Sequence, residues 1–126
     1  MTLPLSDIQT YLTTNNYTPS YINRMPDTPD VAIAFTILGG SPASLTQDFE
    51  SVHVHFRVRN TTDSLAETTA LDLYTLFVNH QSSFLLTNTW VLQVVSIGGG
   101  PTYFLTDTQR RTMYQFALLF TTPVPI

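Results

Sequence analysis

At 126 residues and 14.1 kDa, with no cysteine and a formal net charge of -4, the chain has the size of one ordinary domain and the charge balance of an acidic protein. The missing cysteines exclude a disulfide framework, a thiolate metal site and a thiol nucleophile. The acidic balance, with no basic block anywhere, excludes a domain that grips nucleic acid by displacing counterions from phosphates.

Charged residues make up 11% of the chain, against an average of about 25%. There is no lysine, and the five basic residues are Arg24, Arg57, Arg59, Arg110 and Arg111. A dispersed monomer usually carries interspersed charges that oppose self-association, whereas arginine tolerates interface burial because its guanidinium is weakly hydrated. The composition therefore reads as a subunit covered by other subunits, with a sparsely charged but soluble monomer as the alternative reading. Met1 to Leu12 lacks the basic start and apolar run of a signal peptide, and no stretch approaches the roughly 20 apolar residues of a membrane span, so no membrane partner is expected.

In chain order, Pro4 to Gln9 opens a short helix in which Ser6 and Gln9 form a capping box, with Ile8, Tyr11 and Leu12 on one face. Pro26 and Pro29 make Arg24 to Asp30 irregular. Val31 to Leu38 is a first strand, apolar on both faces, which Gly39-Gly40-Ser41-Pro42 breaks. The loop that follows runs to about Phe49, long enough to suggest a purpose, and places Gln47, Asp48 and Phe49 as contact candidates. Ser51 to Arg59 alternates Val52, Val54, Phe56 and Val58 against His53, His55, Arg57 and Arg59, which predicts one core face and one wet or partnered face.

Thr61 to Ser64 caps the main helix, with Ser64 and Glu67 as a second capping box and Ala66, Ala70, Leu73, Tyr74 and Phe77 as its apolar stripe. Trp90 to Ile97 is a third strand, stopped by Gly98-Gly99-Gly100-Pro101, and Arg111 to Thr121 is the last, with Tyr114, Phe116, Leu118 and Phe120 inward. The expected fold is α+β in the order αββαββ, a mainly antiparallel four-stranded sheet with helices on one face. It is one domain over residues 1–126, with a core of about 5–121 and an extended tail over 122–126.

His53 and His55 project from one strand face about 6 to 7 Å apart, a spacing found in some metal sites. No carboxylate shares that face, and a third ligand such as His80 would have to come from the far end of the helix, so no cofactor or metal is expected. The Gly98 to Pro101 run lacks the Gly-Lys-Ser/Thr of a phosphate loop, and nothing resembles a nucleophile elbow. Arg57 and Arg59 beside the histidines lack the interleaved aromatics that stack RNA bases. A solvated face or a subunit contact through His53, His55, Arg57 and Arg59 is the expected role. Asp107 and Arg111 bracket the turn into the last strand, where a local ion pair fits, and with Arg110 beside them they are also candidates for subunit or partner contact.

Arg24-Met25-Pro26-Asp27-Thr28-Pro29-Asp30 leading into an apolar strand and Gly39-Gly40-x-Pro42 resembles the opening half of bacteriophage minor capsid proteins of the tail-terminator kind. Val54 to Asn60, a helix carrying Asp72-Leu73-Tyr74-x-Leu76, and Gly100-Pro101 through Leu105, Asp107 and Arg111 are similar to the second half in the same order. The resemblance spans about Leu5 to Phe120 and departs at Thr106, where a glycine is common. It implies a structural virion protein that is not an enzyme: a homo-oligomeric ring, usually a hexamer, at the head-proximal end of the tail. Such a ring caps the tail tube protein, stops its polymerisation, meets the head-tail connector or neck protein, and lets DNA pass only as cargo. A head-completion or neck protein of the same virion is the nearest alternative. A small metal-dependent enzyme using His53 and His55 is the alternative from another class.

Overall fold

Val52, Val54, Phe56 and Val58 point one way from a single strand, and that alternation builds the middle of the structure. The computed structural model describes residues 3–41, 49–80 and 83–123, with 39–41 and 49 described by their backbone. In chain order the elements are α1 (Leu5–Thr14), β1 (Ser20–Ile22), β2 (Ala32–Ser41), β3 (Phe49–Asn60), α2 (Asp63–Val78), β4 (Phe84–Leu86), β5 (Thr89–Val91), β6 (Gln93–Thr106) and β7 (Thr112–Pro123). Five strands form one sheet in the order β1-β2-β3-β7-β6, and β4 pairs with β5 in a separate two-stranded sheet.

This corrects the expected α+β fold of order αββαββ with a four-stranded antiparallel sheet: the described residues are mostly β, with seven strands and two helices. The main sheet is mixed, because β1 runs parallel to β2, pairing Ser20 to Ile33 and Ile22 to Phe35. Three residues are too few for alternation to declare a strand, so β1 is a tertiary product of its neighbour's open edge. The span from Trp90 to Ile97 is two strands rather than one. Trp90 belongs to a hairpin whose turn carries Thr87 at φ 57, without the glycine that usually announces such a turn. Leu92 then donates to the Thr121 carbonyl at 2.7 Å as the chain passes to β6.

Both glycine runs also lie inside strands. β2 continues through Gly39 and Gly40, which pair with His53 and Val52 after a bulge at Leu38. β6 runs on to Thr106 past a register shift between Ile97, opposite Ala117, and Thr102, opposite Gln115. Gly98 (φ 76) and Gly99 (φ 90) supply left-handed backbone for that bulge, which only glycine adopts without strain. At the C-terminal end, Thr122 and Pro123, expected in an extended tail, are the last residues of β7 and pair with Glu50 and Phe49.

Neither expected capping box forms. α1 begins at Leu5 with Pro4 at its N-cap, so Ser6 already lies in the first turn, and Gln9 Nε2 instead donates to the Ser20 carbonyl at 2.9 Å, tying α1 to β1. In α2 the cap is Thr62, whose hydroxyl accepts from the Leu65 amide at 3.3 Å. Glu67 is left to accept from the Tyr114 hydroxyl at 3.1 Å.

The core lies between the sheet and the helices. Ile8 and Leu12 of α1 and Ala70, Leu73 and Phe77 of α2 meet Phe35, Val54, Phe56, Phe116, Leu118 and Phe120. Phe56 stacks on Phe116 with ring centroids 5.0 Å apart and lies 5.3 Å from Phe77 and 5.8 Å from Phe35. Burying such a side chain contributes about 1.5–3 kcal/mol, so this aromatic group is a principal reason that the helices stay on that face.

Candidate interaction surface

The side chains opposite the helical layer fall into two groups. On the open face of the sheet, His53, His55 and Arg57 of β3 alternate with the buried valines and Phe56. Their neighbours on β7 are Leu119, Ala117 and Gln115, and beyond them on β6 stand Val95 opposite Leu119 and Ile97 opposite Ala117. His55 Nε2 lies 3.0 Å from Gln115 Oε1, and the Arg57 guanidinium sits 4.9 Å over the Phe104 ring. Burial lowers the His55 pKa below its ordinary 6.5, the Gln115 contact opposes this, and the charges of Arg57 and His53 push it further down. His53 Nε2 and Arg57 Nε are shielded from solvent with no hydrogen-bond partner among the described residues.

Val95 and Ile97 are 42% and 36% exposed, and Leu38 at the β2 bulge is 59% exposed. They make the open face partly apolar at one end, and no described element covers them.

The second group is internal. Arg59 and Arg111 are almost fully buried. Arg59 donates from Nε to the Asp30 carbonyl at 3.0 Å and from Nη2 to the Pro29 carbonyl. Arg111 pairs with Asp107 at 2.8 Å and with Asp27 and Asp30 at 3.2 Å each, and its Nη1 also donates to the Asp27 carbonyl. The Asp107 carboxyl accepts from the Arg111 amide at 2.9 Å and the Gln109 amide at 3.0 Å. Those bonds and the guanidinium hold its pKa below the usual value despite desolvation. Two arginines thereby bind the irregular Asp27 to Asp30 segment to the end of β3 and to the β6–β7 turn.

Of the residues expected to make contacts, His53, His55 and Arg57 come together on the open face, while Arg59, Asp107 and Arg111 join the internal clamp. Arg110 stands exposed at the same turn with φ 62. Phe49 opens β3, and Gln47 and Asp48 lie outside the described residues. Sequence reasoning missed Gln115, Phe104, Val95 and Ile97, which only cross-strand register brings beside the histidines. The clamp acids Asp27 and Asp30 do stand in the sequence as the Asp-Thr-Pro-Asp run, but their partner is more than 80 residues away.

His80, which a metal site on His53 and His55 would need as a third ligand, stacks on Phe84 at 3.6 Å and lies 3.2 Å from the Tyr11 hydroxyl, in the helical layer. Among the described residues no group of three or more His, Cys, Asp or Glu side chains is placed to hold a metal ion.

The sequence profile of a family described as bacteriophage tail terminator protein matches residues 6–122. The chain belongs to the bacteriophage tail terminator family. No curated protein matches it. As a tail terminator it is a structural component of a phage tail, placed in the virion and working against other virion proteins. No helix among the described residues is long and apolar enough to cross a membrane.

Proposed function

We propose that this terminator closes the head-proximal end of the tail tube as a ring of identical subunits, a hexamer, which stops tube polymerisation and joins the tail to the head-side connector. The observation that carries the reading is the family match over residues 6–122, nearly the whole described chain. The physical chemistry agrees with it. A closed ring needs one heterologous contact repeated by rotation, and this subunit presents an uncovered sheet face with few charges to desolvate. His53, His55 and Arg57 on that face, together with exposed Arg110, contact neighbouring copies or adjoining tail components. The buried arginines hold the scaffold behind them.

Genome DNA passes through the ring as cargo. A subunit with net charge -4 and no lysine offers few phosphate contacts, so DNA slides without a strong grip. Imaging of intact particles tests the proposal: density for this chain forms a ring between the last tube ring and the connector, and particles assembled without the chain carry tails of uncontrolled length. Finding the chain elsewhere in the particle, or normal tail lengths in its absence, refutes the role.

A further inference from the structure

The two edges of the five-stranded sheet are open at the same end. On the β2 side, β1 covers only Ile33 to Phe35 and the Thr36 hydroxyl donates to Asn23 Oδ1 at 3.0 Å, so among the described residues no strand pairs with the outer edge of Thr36 to Ser41. On the other side, β6 is the last strand and its outer edge is likewise unpaired. The registers place these segments level with one another. Ser41, Ser51, Thr121 and Gln93 form one row across the sheet, Gly39, His53, Leu119 and Val95 a second, and Thr36, His55, Ala117 and Ile97 a third. The row of Phe35, Phe56 and Phe116 is where β1 ends on one edge and where the Gly98 to Pro101 bulge interrupts the other. That row divides β2 into an open half and a half covered by β1, and divides β6 into two unpaired halves on either side of its bulge.

Natural proteins usually blunt such edges with charges, prolines or bulges. Thr36 to Ser41 and Gln93 to Ile97 contain no charged residue and no proline, and a single bulge at Leu38 interrupts them. Gly39 and Gly40 have no side chains to hold another backbone away. The strand directions also match. β2, β3, β7 and β6 alternate, so β6 runs opposite to β2, and a rotation about an axis along the strands sets β6 of one copy antiparallel to β2 of the next.

We infer that a second copy of this chain occupies the open edge: Gln93 to Ile97 of one subunit pairs with Thr36 to Ser41 of its neighbour, continuing the sheet from subunit to subunit. The contact is head-to-tail and can repeat around a ring. Main-chain hydrogen bonds supply the attraction, and exposed Leu38, Val95 and Ile97 lose water beside the join. This inference rests on the ring reading and adds which surfaces meet, leaving the open face of the sheet for other tail components.

The absence of natural cysteine makes disulfide trapping unambiguous within this chain. Leu38→Cys is combined in turn with Gln93→Cys, Val95→Cys and Ile97→Cys, the variants are assembled into particles, and oxidised samples are probed for this chain on denaturing gels. At least one pair gives a reducible ladder from dimer up to the full ring, while each single-cysteine variant gives none. Since all four positions except Gln93 are apolar and all are exposed, assembly of the reduced variants into tails of normal length reports that they fold. A tail-end ring seen by imaging without a ladder for any pair overturns the edge pairing and leaves the terminator role standing. A ladder containing another tail protein assigns the edge elsewhere and overturns it too. Particles with no ring of this chain overturn both.

Discussion

Burial is the main cause that lowers the pKa of His55 below its ordinary 6.5. A histidine with a folded pKa below 6.5 takes up its proton more readily in the unfolded chain. Its contribution is therefore intact above the unfolded value and is lost as pH falls through 6.5 toward the folded value. The denaturant midpoint accordingly falls between pH 7.5 and pH 5.5, and His55→Gln, which keeps a polar group beside Gln115, flattens that dependence. An unchanged slope in the variant would show that the proton goes elsewhere. Residue roles were unevenly legible in the sequence. The four-residue spacing of Asp107 and Arg111 announced their ion pair, because both partners flank one turn. The Arg57 contact with Phe104 was hidden, because the intervening strand register is set by a bulge.

Among the elements, β3, α2 and β7 stand nearly where their periodicity puts them, because each is long and half-buried and so writes its buried face into its spacing. The elements that periodicity missed are the three-residue strands, which contain too little pattern, and the glycine runs, whose meaning is ambiguous. A glycine cluster marks a chain turn when strands end there and a bulge when a neighbour keeps the pairing going. At β6, Gly99 lies at φ 90 in open space, so the backbone conformation alone resists a side chain. Gly99→Ala costs about 1–2 kcal/mol. Gly100→Ala, whose added Cβ would meet only Tyr74 Cε1 at 4.0 Å, is close to neutral. Urea unfolding of the two variants separates them, and equal effects would mean that the bulge does not depend on left-handed backbone.

Across the whole molecule, Arg111 joins segments that the sequence keeps more than 80 residues apart. Its fork reaches Asp107 along the chain and Asp27 and Asp30 across it, a geometry that a single ammonium cannot reproduce. Arg111→Lys lowers the melting temperature by several degrees and turns Arg24, next to the released segment, into a fast site for trypsin. Unaltered melting and cleavage would show the clamp to be idle. The clamp makes the Arg24 to Asp30 run and the Asp107 to Arg111 run two halves of one contact.

The amino-acid sequence by itself determined the tail-terminator resemblance, the anionic and lysine-free surface, and the long elements, since composition and spacing act locally and need no partner. The tertiary structure alone decided that the sheet has five strands, that β1 adds in parallel, that two glycine runs sit within strands, and that Arg59 and Arg111 face inward. These outcomes depend on which backbone edges are left free once the phenylalanine core has formed, and no local pattern records that.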